Sequence, residues 1–145
     1  MKSLIKREQG FTLIEIVIVL AIAAAIMLMV FLAVTGARRS QRDTQRRGDA
    51  SRMAATLEQY AANNGGNYPD AIDTADANGP KWFTTYITGN FNAPGGGSYS
   101  AGAFTAAATV SAVPALNTVN LAVSGTSYQV CIGSETGGDV CASSK

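Results

Sequence analysis

Histidine is missing from this chain of 145 residues. Its absence removes the commonest general base and the commonest metal ligand together. Cysteine is scarce, with only Cys131 and Cys141 present, and two cysteines without histidine do not make a zinc site. No nucleotide-binding glycine motif and no pair of acids in a defined catalytic setting occurs. The chain is therefore expected not to be an enzyme and to need no cofactor or metal. Basic residues are nearly missing after Arg52: Lys81 and Lys145 stand against six acids, a net of −4. The first 52 residues hold nine Lys/Arg against Glu8, Glu15, Asp43 and Asp49, a net of +5. The overall +1 thus conceals a basic stem and an acidic head, and bulk charge points to no nucleic-acid partner.

Residues 11–35 contain neither proline nor glycine, and every residue from Ile16 to Val34 is apolar. With Leu13 and Ile14 the run reaches the roughly 20 residues that span a bilayer. Four readings compete: a signal anchor, a cleaved secretory signal, a buried core helix, and a helix that packs against copies of itself. A cleavage site at 21–23 or 23–25 would suit a signal peptide, but the apolar run continues past Ala25 where it should stop. A core helix that is apolar all round needs a larger and less polar wrapping than the remaining chain supplies. Glu15 separates the other two readings. A charge within hydrocarbon costs about 2.5–3.5 kcal/mol on lenient scales, less near the end of a span where it can snorkel.

The stretch Gly10-Phe11-Thr12-Leu13-Ile14-Glu15 resembles the signature of type IV prepilins, and so does its setting between the basic residues Lys2, Lys6 and Arg7 and an unbroken apolar helix. The resemblance implies a class III-type leader cut between Gly10 and Phe11 by a membrane-embedded prepilin peptidase, which also methylates the new amine of Phe11. Gly10 suits the cut, because a residue without a side chain exposes the backbone. Cleavage turns a neutral amide into an ammonium with which Glu15 can pair, in its own chain or on a neighbour. Two unit charges about 4 Å apart attract by roughly 4 kcal/mol at an effective dielectric of 20. Desolvation offsets much of this, so Glu15 is better suited to setting register in an assembly than to supplying stability.

The resemblance further implies the layout of the chain. Residues 1–10 form the leader and 11–36 the transmembrane and filament-core helix; 37–64 continue that helix as an amphipathic segment, and 65–145 form the head. The fold class is α+β and pilin-like, a long N-terminal helix packed on a small antiparallel sheet. From residue 11 to 62 the helix would extend about 78 Å. Ala50, Met53, Ala54, Leu57, Tyr60 and Ala61 form its apolar stripe at i, i+3, i+4, i+7 spacing, and Asn63-Asn64-Gly65-Gly66 ends it. Leu57, Tyr60, Asn64-Gly65 and Tyr68-Pro69 also resemble the region after the helix in pilins and major pseudopilins. Many type IV pilins carry proline or glycine inside the apolar helix; here Gly36 and Gly48 are the backbone weak points.

In the head, strands are expected at 82–88, 119–123 and 128–132, with a short one near Val140; 104–110 is ambiguous. Trp82, Phe83, Tyr86 and Phe91 read as core and rim, and 93–100 as a flexible loop. Asp70, Asp73 and Asp76 fall every third position and lack the closing Glu of a calcium loop, so they read as a solvated acidic loop. Gly137-Gly138 suits a turn that brings Cys131 and Cys141 together, and in an exported head a disulfide is expected. Arg38, Arg39, Arg42, Arg46 and Arg47 outnumber the basic residues before the span. A positive-inside count would place the head in the cytoplasm, whereas the resemblance places the leader there and the head outside. Asp43 and Asp49 are positioned to pair with Arg39, Arg46 and Arg52 at i, i+3 and i, i+4.

The function this implies is that of a pilin precursor, held in the cytoplasmic membrane and then assembled into a helical surface filament for adhesion, motility or DNA uptake. Its partners would be copies of itself through residues 11–36, the prepilin peptidase and methyltransferase, an inner-membrane assembly platform, and the bilayer before assembly. Two alternatives share the leader or the anchor: a pseudopilin of a type II secretion or competence machine, and a signal-anchored binding domain that never polymerises.

Overall fold

The computed structural model describes residues 10–72 and 81–144. The basic leader residues Lys2, Lys6 and Arg7, and Asp73 and Asp76 of the acidic loop, lie outside the described residues. The chain divides between Ala37 and Arg38 into two compact units. One helix, α1 (Leu13–Asn63), runs through the division.

In the first unit every described residue is exposed, including Leu20, Ile26, Leu28 and Phe31. Straight-chain, alanine and β-branched apolar residues without a breaker make the segment helical. It is long and apolar enough to cross a membrane.

In the second unit α1 becomes amphipathic. Ala50, Met53, Ala54, Leu57, Tyr60 and Ala61 are all buried, as their spacing predicts. The helix stops where expected, with the Gly66 N–H closing onto the Ala61 carbonyl at 2.7 Å. The stripe packs into one core with Trp82, Phe83, Ile87, Phe91, Tyr99, Val119, Leu121, Val130 and Ile132.

The head is a four-stranded sheet in the order β1 (Ser100–Thr105), β2 (Thr118–Ser124), β3 (Ser127–Gly133), β4 (Asp139–Ser143). Its architecture is the α+β, pilin-like arrangement expected. The three later strands pair antiparallel in sequence order, and Gly125 and Thr126 make the tight turn between β2 and β3, with Ser124 paired to Ser127. The sheet is mixed, however, because β1 joins β2 in parallel. The 12 residues between Thr105 and Thr118 supply the crossover of about a dozen residues that parallel neighbours require. The ambiguous segment 104–110 is thereby resolved: its first two residues end β1, and Val110 N–H instead binds the Gln129 side chain at 2.8 Å. Gly133 is needed where it stands, since a Cβ there would lie 2.3 Å from the Ala115 carbonyl oxygen.

One expected strand is corrected. Residues 82–88 contain a single π-type helical turn, Phe83–Ile87, with Thr88 N–H bonded to Phe83 C=O at 3.0 Å. Aromatic and β-branched residues favour a strand here, but burial overrides propensity. Trp82, Phe83 and Ile87 all reach the core, and Trp82 Nε1 donates to Thr56 Oγ1 of α1 at 3.0 Å. A strand would send Phe83 and its neighbour Trp82 to opposite faces. Trp82, Phe83 and Phe91 are core and Tyr86 is rim, as read from the sequence.

Leu57 is fully buried at the centre of the stripe. Leu57→Ala is expected to cost about 2–5 kcal/mol, read as a lowered denaturant midpoint of the full chain in detergent. Gln59→Ala, on the exposed face, should shift the midpoint by less than about 0.5 kcal/mol.

Candidate functional site

Two sites carry charge into apolar or buried surroundings. The first is at the start of α1. Thr12 precedes the helix, and its carbonyl accepts the Ile16 N–H at 3.4 Å. Glu15 folds back onto it: Thr12 N–H donates to Glu15 Oε2 at 2.8 Å and the Thr12 hydroxyl donates to the same oxygen at 2.7 Å. Glu15 N–H approaches Thr12 Oγ1 at 3.4 Å in return. This is a reciprocal capping box, in which two otherwise orphaned helix-end donors are satisfied. The Thr-x-x-Glu spacing is its sequence signal, and the charge of Glu15 masks it. Phe11 and Gly10 are exposed. Phe11, Glu15, Ile16, Val19 and Leu20 line a shallow cleft in which Glu15 is the one polar side chain. Glu15 and Phe11 therefore border one cleft on an otherwise apolar helix side.

The second site lies in the head unit. Arg46 is fully buried. Its Nη1 binds Asp43 Oδ1 at 2.8 Å, and its Nη2 reaches Glu135 Oε1 at 3.1 Å and Asn117 Oδ1 at 3.0 Å. Arg42 grips the same glutamate with two parallel donors, Nε to Oε1 at 2.6 Å and Nη2 to Oε2 at 2.5 Å. That bidentate geometry is the strong form of an arginine–carboxylate contact. Asp43 also accepts the N–H of Glu135 at 2.9 Å, the N–H of Thr136 at 3.1 Å and the Thr136 hydroxyl at 2.8 Å. Further along α1, Asp49 accepts the Tyr99 hydroxyl at 2.8 Å and Arg52 Nη1 at 3.4 Å, while the Arg52 guanidinium stacks 4.7 Å from the centre of the Phe91 ring.

Of the ion pairs expected within the helix, Asp43–Arg46 and Asp49–Arg52 form. Arg39 makes no ion pair among the described residues. The partner that sequence spacing could not supply is Glu135, whose pairing with Arg42 spans 93 positions. Burial by itself would raise the Asp43 pKa; the bonds from Glu135, Thr136 and Arg46 outweigh it and hold the carboxyl below its ordinary value. Glu135 is also held below its ordinary value, chiefly by the Arg42 bond. Burial, reinforced by Asp49, pushes the Tyr99 hydroxyl far up.

Cys131 and Cys141 are joined in a disulfide between directly opposed positions of β3 and β4. Gly137 and Gly138 turn the chain between them with φ of 86° and 103°, conformations that favour glycine. The Asp139 carboxylate lies 3.1 Å from Cys141 Sγ. A disulfide sulfur has no proton to donate, so this is a close approach and not a hydrogen bond. Nor do the bonded sulfurs offer thiolates to a metal.

Residues 5–31 match the family model described as the prokaryotic N-terminal methylation motif. Comparison with curated proteins and with solved structures returned no match. The motif and the fold together define a class: a class III leader of the kind found in type IV pilins and pseudopilins, ahead of a pilin-like helix and four-stranded sheet. The family model covers residues 5–31 of the chain, and this motif together with the fold supports a type IV pilin-like or pseudopilin-like precursor.

The depressed carboxyls generate a pH prediction. A group whose pKa falls on folding adds stability that is fully present above its unfolded value and is lost as pH drops through the folded one. The ordinary values are 4.5 for Glu135 and 3.8 for Asp43. The denaturant midpoint should therefore stay level from about pH 7 to about pH 5 and fall progressively below about 4.5. Glu135→Gln should lower the midpoint at neutral pH and flatten the acid limb. An unchanged acid limb in that variant would show that Glu135 is not linked to folding.

Proposed function

We propose that this protein is a structural subunit, cut between Gly10 and Phe11, N-methylated at Phe11, and polymerised through residues 11–36 into a helical filament. The observation that carries the reading is the methylation motif at residues 5–31. The exposed apolar first unit supports it, because such a helix needs lipid or copies of itself as surroundings. In this reading the chain is a substrate of a prepilin peptidase and methyltransferase, and not itself an enzyme. It is held in the cytoplasmic membrane with the leader inside and the head outside, then extracted by an assembly platform. The filament is a surface pilus serving adhesion, motility or DNA uptake. A pseudopilus of a secretion or competence machine would use the same leader and helix.

Glu15 acts in this scheme as the assembly charge. The capping box gives it a partner while it waits, so the uncut chain holds no orphaned carboxylate in the apolar span. Cleavage adds an ammonium one residue before Thr12. A neighbour's ammonium can then share the carboxylate, and the shared charge fixes where one helix docks along the next.

Protein purified from the native envelope should begin at Phe11 and weigh one methyl group more than the cleaved chain, read by intact mass and N-terminal sequencing. Gly10→Leu should leave full-length precursor in the membrane. A mature protein that retains residues 1–10 would overturn the reading.

Replacement of Glu15 separates charge from cap. Glu15→Ala removes both, and Glu15→Gln keeps an acceptor for the Thr12 N–H while losing the charge. Both variants should insert and be cleaved, since the scissile bond is untouched, yet yield few or no filaments by electron microscopy. Normal filaments from Glu15→Gln would assign the residue to capping alone.

A further inference from the structure

Cys131 and Cys141 enclose residues 132–140, and the loop within that ring is what grips α1. Six hydrogen bonds join Glu135 and Thr136 to Arg42, Asp43 and Arg46. The β3–β4 ladder pairs Ile132 with Val140 and Gly133 with Asp139, and beyond it the tip at 134–138 has little else to hold its shape. Among the described residues, the tip's internal bonds are Ser134 N–H to Gly138 C=O at 3.2 Å and a Ser134–Thr136 hydroxyl contact at 3.4 Å, and Gly137 and Gly138 loosen it further. β4, which returns the chain, is an edge strand in which Val140 alone is buried. Closing the ring restricts the open conformations of this loop, so the disulfide keeps Glu135 and Thr136 in gripping position.

We propose that the Cys131–Cys141 disulfide is the lock of a redox-gated clamp that fastens residues 42–46 of α1 to the loop at 134–138 when oxidised and releases them when reduced. This inference goes beyond the filament reading and does not depend on it. Cys141 is exposed and Cys131 fully buried, so an external dithiol attacks at Cys141. One thiolate of the dithiol bonds to Cys141 Sγ as the S–S bond breaks, and Cys131 leaves as a thiolate that takes up a proton. The second thiolate of the dithiol displaces Cys141, which is protonated in turn, and the reductant departs as its own disulfide. Two electrons and two protons have then passed to the protein. The clamp closes by the reverse exchange with an external disulfide as oxidant. Asp139, 3.1 Å from Cys141 Sγ, guards the lock by repelling the incoming thiolate.

The test is hydrogen–deuterium exchange on the full chain in detergent micelles, with and without dithiothreitol. Reduction should speed exchange in peptides covering 42–46 and 133–140 by roughly tenfold or more, while 119–124 stays as slow as before. The double variant Cys131→Ser with Cys141→Ser should match the reduced protein and ignore dithiothreitol. Asp43→Asn should loosen 133–140 with the disulfide intact, and Asp139→Asn should speed reduction several-fold. Unchanged exchange at 42–46 on reduction would overturn the clamp. So would a rise at 119–124 in step with the rest, because the disulfide would then staple the whole head. Equal reduction rates with and without the Asp139 carboxylate would remove its guarding role.

Discussion

A helix that is apolar on every side cannot remain in water, and the first unit of this protein is such a helix. Its described residues are exposed throughout, so within this unit nothing covers them. Lipid and copies of the same helix are the two apolar surroundings that such a helix can find, and the proposed filament reading would have it pass from one to the other. Glu15 is the exception that gives the helix direction. A carboxylate in such a run has to be satisfied at every stage. Thr12 supplies the N–H and hydroxyl that do so within the chain itself.

The second unit faces the opposite difficulty. Its helix carries arginines onto the face that must be buried. Arg46 is taken fully out of water, which is tolerable only because Asp43 and Glu135 both meet it. Removing one partner from a buried pair is far costlier than the pair's net contribution. The contacts are therefore better read as specifying where the loop sits on the helix than as a source of stability. Asp43 does this most directly, since it receives two backbone N–H groups of the loop as well as Arg46. Side-chain changes in the loop would leave those two bonds available, so its backbone path is held more firmly than its sequence.

Much of this architecture is legible in the sequence, because it rests on local periodicity. The apolar run, the stripe from Ala50 to Ala61, the Asn-Asn-Gly-Gly stop and the β2 and β3 segments each declare themselves within a few turns or a single strand. The features that sequence does not disclose depend on distant partners. Residues 82–88 look like a strand until Trp82 finds Thr56 and the core draws Phe83 and Ile87 inward. β1 pairs in parallel across a long connection that no periodicity marks. Glu135 looks like a loop acid, and nothing near it in sequence points to Arg42 or Arg46. The Thr12–Glu15 box is the converse case, a local pattern hidden only by the more conspicuous charge.

The arginine surplus beyond the span gains a partial physical account. Arg42 and Arg46 are matched by Glu135 and Asp43, and Arg52 by Asp49. Arg38, Arg39 and Arg47 have no ion pair among the described residues. Positive-inside bias acts on the chain as it inserts, whereas Glu135 meets Arg42 and Arg46 across 93 and 89 positions of sequence. Were the head exported, so distant a pairing would not ease the first passage of the cluster. Its effect would be on the reverse passage. Once Arg46 is buried between two carboxylates, a return of the helix toward the membrane would have to expose it and strip both acids of their donors. In an exported head, the same contacts that shape the loop would thus make the completed topology difficult to reverse.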